Sequence, residues 1–246
     1  MNKNRIQLLV FALCCSCFFV HAQTDCGTVT DYDGNVYQTV KLGEQCWMAQ
    51  NLRVTHYADG TPLNLAPADA AAPCYFIPGN DADNVARMGL LYTWYTALNS
   101  ATPTENVPSG VQGVCPDGWH LPSNFEWMGL EDFLGYKDQY RCGTDVNDVA
   151  KSLASTEEWK AESMEYLSDC AVVSDLSKNN ASGMNVLPAG SCWEGVYTTG
   201  YNAGFWTASD GSDITSPIHY LAGSHAAVEI NCTPKVAAYS VRCLKN

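Results

Sequence analysis

The sequence predicts an α+β fold, and three observations carry that expectation. A hairpin pattern fills the amino-terminal part, a helix with a capping signature starts near Ser123, and short strand-like pieces occupy the carboxy-terminal third. From Thr28 to Leu52, apolar and polar residues alternate on both sides of Asp33-Gly34, a pair suited to the positive φ angles of a type I′ turn. A third short strand follows through Gln45-Cys46-Trp47-Met48. Residues 58–86 are rich in Ala, Pro, Asp, Asn and Gly and show no period, which predicts a long surface loop. Leu90 to Leu98, with Tyr92, Trp94 and Tyr95, is too apolar for the surface and fits a buried strand or short helix. Ser123 and Glu126 form a capping box, in which hydroxyl and carboxylate satisfy free backbone donors, so a helix is expected over 124–134. Trp127, Leu130 and Leu134 share one face of it, and Gly135 ends it. Val146, Val149, Ala150 and Leu153 recur at three and four, which predicts a second helix over Asp145 to Ala154. Strand-like pieces follow around 185–188, 204–207, 219–221, 226–229 and 239–243. No linker divides residues 23–246, which are read as one domain.

Residues 1–22 read as a Sec signal peptide. They carry Lys3 and Arg5, an apolar run from Ile6 to Val20, and the small-residue exit Val20-His21-Ala22. The run of 15 residues is short of the roughly 20 a spanning helix needs, and no later segment approaches that length. The expectation is therefore no transmembrane segment, with the protein secreted or at the cell surface and the periplasm as the alternative. Removing the peptide takes two bases and no acid, so the net charge moves from −13 to −15. Phosphate binding needs a basic face, so nucleic acid is not an expected partner. Three of the 12 cysteines leave with the peptide, and the remaining nine are an odd number. In an oxidising compartment they read first as disulfide partners; no Cys-x-x-Cys pair exists to favour zinc.

Other chemistry is thin. Gly190-Ser-Cys192-Trp193 superficially matches the nucleophile segment of papain-like proteases, but only 54 residues follow Cys192, too few for that family's distant histidine. Asp31-x-Asp33-Gly-Asn35 has the spacing of a calcium loop, but Leu42 occupies the twelfth position, where a bidentate acid belongs. The carboxylate pairs Glu131-Asp132 and Glu157-Glu158 are sequence neighbours, which does not set them across a cleft from each other. No metal, cofactor or catalytic residue is assigned, and the chain is read as a non-enzyme.

Six ordered segments resemble a known family. They are Asp31-Tyr-Asp-Gly-Asn-Val-Tyr37 running on to Cys46-Trp-Met-Ala-Gln-Asn-Leu-Arg53, then Gly89-Leu-Leu-Tyr-Thr-Trp94, then Cys115-Pro-Asp-Gly-Trp-His-Leu-Pro122. Leu187-Pro-Ala-Gly190, Phe205-Trp-Thr-Ala-Ser209 and Ser240-Val-Arg-Cys243 complete the set. Together they resemble the Fibrobacter succinogenes major paralogous (FISUMP) domain family. The resemblance implies an exported bacterial surface domain with a C-type-lectin-like fold, loop-rich and disulfide-bonded, in which two helices pack with short antiparallel strands. It brings no catalytic activity, and the calcium-binding tripeptides of those lectins do not occur here. It also implies pairs Cys26 with Cys46 and Cys115 with Cys243, leaves Cys74 as the free thiol, and leaves Cys142 with Cys170 and Cys192 with Cys232 to complete the set.

In lectin-like folds the irregular region before the last strands commonly carries the ligand. Here that region holds Trp193, Tyr197 and Tyr201 among glycines and polar residues, followed by Asp210 and Asp213. Sugar rings lie with their apolar faces on aromatic side chains, and Tyr and Trp also anchor protein interfaces. These five residues are the expected ligand site of a surface binding or adhesion module for a glycan or a surface protein. A structural or accessory subunit of a surface assembly, with Cys74 available for intermolecular pairing, is the first alternative. An extracellular polysaccharide- or protein-degrading enzyme is the second.

Overall fold

The computed structural model describes residues 26–66, 73–161, 163–165 and 167–246. The expected signal segment 1–22 lies outside the described residues. In chain order the first strands are β1 (Thr28–Thr30), β2 (Val36–Leu42), β3 (Gln45–Met48), β4 (Tyr75–Phe76), β5 (Leu91–Thr93) and β6 (Trp119–His120). After them come β7 (Cys192–Trp193), β8 (Val196–Tyr197), β9 (Asn202–Trp206), β10 (Thr215–Ala222), β11 (Glu229–Pro234), β12 (Ala238–Tyr239) and β13 (Leu244–Lys245). The α-helices are α1 (Val85–Met88), α2 (Trp94–Leu98), α3 (Asn124–Gly135) and α4 (Ala150–Leu153).

The strands form three sheets with orders β1-β2-β3-β13-β6, β11-β10-β9 and β4-β5-β12-β7-β8. The fold is mostly β, so the expected α+β, C-type-lectin-like class with two packed helices is corrected. The missing helix shows why. Asp145 accepts from the Asn147 backbone, Cys142 N–H donates to the Asp148 carbonyl, and Ala150 N–H donates to the Ala226 carbonyl. Those bonds take up the donors and acceptors that a helix from 145 would need, so α4 covers four residues only. The apolar period at Val149, Ala150 and Leu153 is real, but it serves burial of a turn as well as it would serve a helix.

The helix α3 forms with both halves of its capping box, and Trp127, Leu130 and Leu134 are buried on it. The segment from Leu90 to Leu98 is strand and helix in succession, β5 and then α2. The first hairpin differs from the expected two-residue turn: Thr30 pairs with Val36, and residues 31–35 form the loop. Asp31 closes it by accepting from the Asn35 backbone and amide and from the Tyr37 hydroxyl.

Two large cores fill the molecule. In one, Trp206 donates to the Tyr92 carbonyl and Trp94 to the Thr207 carbonyl, so both indoles bury their rings with their N–H groups satisfied. In the other, Trp127 stacks on Phe205 and His219 and tilts against Trp47. Among the described residues three disulfides are present: Cys26–Cys46, Cys115–Cys243 and Cys142–Cys170. The fourth expected pair is corrected. Cys192 is buried in β7 of the third sheet, whereas Cys232 is exposed on β11, the edge of the second sheet.

Candidate functional site

The five expected ligand residues fall in separate places. Trp193 and Tyr197 belong to the β7–β8 hairpin, where Trp193 pairs with Val196 and Cys192 with Tyr197. Partners in register share a face, so Trp193 and Tyr197 point to opposite sides. Trp193 is 48% exposed beside exposed Val196. Tyr197 packs on a third, smaller core that includes Phe76, Leu91 and Ala189, where its hydroxyl bonds the Cys192 sulfur. Burial, and next that bond, push its phenol up to about 12. Asp210 and Asp213 lie in the loop joining β9 to β10, and Asp210 is paired at 2.7 Å with Lys235, whose ammonium covers the Trp94 ring. Tyr201 stands at the opposite end of the same hairpin, where Asn202 pairs with Ala222. One hairpin length therefore separates Tyr201 from the two acids.

Tyr201 is the expected residue that borders a substantial cleft. The cleft has a volume of about 460 Å³, and Tyr201, Tyr220, Ser163, Glu165, Ser224 and His225 contribute to its walls. Tyr220 reaches it because β10 alternates: Ile218, Tyr220 and Ala222 share one face of the strand, and His219 and Leu221 take the other. The sequence reads a strand-like piece around 219–221 but does not mark the Tyr220 face, because both faces of β10 are buried and 215–222 show no apolar–polar alternation. Ser163 and Glu165 arrive from a chain segment with no period, and no local signal marks them. Gly223 N–H donates to the Tyr201 carbonyl and Lys160 N–H to the Gly200 carbonyl, so both walls are tied to the backbone that carries Tyr201. At the mouth His225 pairs with Glu229 at 2.9 Å.

Other chemistry-bearing groups serve the framework. His120 and Glu126 are each about 2% exposed and 2.9 Å apart, and Asn246 bonds the second ring nitrogen. Burial alone would lower the His120 pKa, but the hydrogen bonds and the Glu126 charge outweigh it and raise it. Glu126 also accepts from the Ser109 and Ser123 backbones, so the His120–Glu126 pair together joins a loop, a helix cap and Asn246. Arg242, 1% exposed, donates to Asn51 and to the carbonyls of Met184 and Asn185. Burial pushes its guanidinium down to about 9, above neutral pH, so it remains a charged fork that pins three chain segments. The acids at 31 and 33 are hydrogen-bond acceptors: Asp33 accepts from Thr55 and pairs with His56.

Cys74 has no disulfide and is 2% exposed, with burial pushing its thiol up to about 11. A buried protonated thiol neither attacks nor reaches a partner chain. The intermolecular role assigned to it from sequence is therefore corrected; among the described residues the exposed thiol is Cys232.

No helix among the described residues is long and apolar enough to cross a membrane. The family model described as the Fibrobacter succinogenes major domain matches residues 40–245. No curated protein and no solved structure matches the chain.

Proposed function

Because the chain belongs to the Fibrobacter succinogenes major domain family, we propose that it is an exported, non-enzymatic binding module that takes a glycan in the Tyr201 cleft. Family membership and three disulfides fit an extracellular protein, since such bonds persist in oxidising compartments. The observation that carries the reading is the cleft itself. Tyr201 offers a ring face to the apolar side of a sugar, Tyr220 lines the wall beside it, and Ser163, Ser224, Glu165 and His225 offer donors and acceptors for its hydroxyls. Tyr201 is 40% exposed, which leaves a ring face for stacking. Trp193, on its separate hairpin, is a second exposed aromatic and not part of the same cleft.

A glycan array with the exported protein and with Tyr201→Ala tests this. Binding to at least one saccharide class that falls about tenfold or more in the variant is the expected outcome, in line with ~1.4 kcal/mol per decade of affinity. Binding that Tyr201→Ala leaves unchanged would remove the cleft from the argument. Turnover of a bound saccharide by the wild-type protein would overturn the non-enzymatic reading.

A further inference from the structure

A second surface, apart from the Tyr201 cleft, has the features of a peptide-docking edge. The strand β11 pairs with β10 on one side and is the outer strand of its sheet. Lys235 N–H donates to its register partner Ile214, which sets the alternation of the ladder. Thr233, Asn231 and Glu229 then bond inward to β10, and the backbone N–H and C=O of Ile230 and Cys232 face outward. Pro217 and Pro234 fit this phase, since neither is required to donate between β10 and β11. No backbone partner for Ile230 or Cys232 occurs on that side among the described residues.

Beside this edge, between β11 and α3, runs a groove of about 250 Å³. Its walls include Met128, Val146, Ile230 and Tyr136, which are 37%, 43%, 46% and 75% exposed. Glu131 and Asp132 line it as well. Glu131 is held by buried His219 at 2.6 Å, and Asp132 has no ion pair among the described residues. Unpaired strand edges are ordinarily covered or blunted by charge, and an apolar groove with carboxylates beside one is complementary to a cationic side chain with an aliphatic stem.

We propose that the β11 edge and this groove bind an extended basic segment of a partner protein. The segment adds as a strand, exchanging backbone hydrogen bonds with Ile230 and Cys232. A Lys or Arg side chain lays its stem on Met128, Val146 and Ile230 and brings its charge to Asp132 and Glu131. A second copy of this chain is the less favoured occupant, because the protein carries 26 acids against 13 bases and like charges would meet.

The test uses the mature, disulfide-intact protein and a fluorescein-labelled nine-residue peptide alternating Lys with Thr, followed by anisotropy. A peptide with Glu in place of every Lys is the control. The expected result is saturable binding of the Lys peptide that weakens with added salt, and no binding of the Glu peptide. Asp132→Lys, an exposed change, should weaken the Lys peptide at least tenfold. Ile230→Pro, which removes one outward N–H and no bond to β10, should do the same. Equal binding of both peptides, no binding of either, or wild-type affinity in Asp132→Lys would overturn the proposal. So would a dimer in sedimentation that Ile230→Pro abolishes, since the edge would then belong to a second copy. None of these outcomes depends on the glycan array.

Discussion

His120 shows how much one side chain can join. Its two ring nitrogens hold Glu126 and Asn246, and Glu126 in turn caps α3 and fastens Ser109. In the folded chain its pKa is raised above the ordinary 6.5, so the protonated pair contributes fully below about 6.5 and is lost as pH rises through the folded value. His120→Gln should therefore cost about 3 kcal/mol near pH 6, typical of breaking a buried pair. The gap to wild type should narrow as pH rises beyond 6.5, as read from urea unfolding with disulfides intact. A gap independent of pH would show that charge on His120 is not part of the lock. At this scale the sequence was partly legible. The spacing of Ser123 and Glu126 announced the cap, because both act within one turn. The second duty of Glu126 was hidden, because Ser109 and His120 reach it only after the chain folds back.

Elements depend on close approaches that glycine permits. Gly190 has φ of 75°, and a Cβ built there would lie 2.5 Å from the Thr199 nitrogen. Its N–H donates to the Asn202 carbonyl, so the turn entering β7 is pressed against the start of β9. Gly190→Ala combines backbone strain with a clash against main chain that cannot rotate away. A loss of about 2–4 kcal/mol is expected, and an unchanged thermal midpoint would refute the close approach. The same scale explains the missed helix. A pattern of apolar residues nominates side chains for burial, and α3 and the 145–154 segment share such a pattern, although Val146 in the second is 43% exposed. Only the destination of the backbone donors separates them. In α3 they stay within the helix, and near Asp145 they go to a side chain and to Ala226.

Across the whole molecule, the carboxy-terminal strand β13 lies between β3 and β6, so the end of the chain completes the sheet that the beginning opened. Cys115–Cys243 fixes that closure across a sequence separation of 128. Replacing both cysteines by Ser should cost roughly 4–5 kcal/mol through the freed unfolded chain. Chemical denaturation of the double variant measures it, and a loss under 1 kcal/mol would mean that β13 docks without the bond. The same closure packs Arg242, in the adjoining segment, against Asn51 and the 184–185 carbonyls.

What the sequence by itself determined is local or covalent in kind: the cap of α3, the strands around Gln45–Met48, the oxidising chemistry of the cysteines, and the family read from six ordered segments. Each rests on residues that act on near neighbours, or on side-chain types that act wherever they lie. The tertiary structure alone decided that three sheets outweigh the helices, that Cys192 and Cys232 belong to different sheets, and that Tyr201 and Tyr220 line one cleft while Asp210 and Asp213 stand a hairpin away. Those outcomes depend on which distant backbone groups satisfy one another, and the period of a sequence records burial without recording the partner.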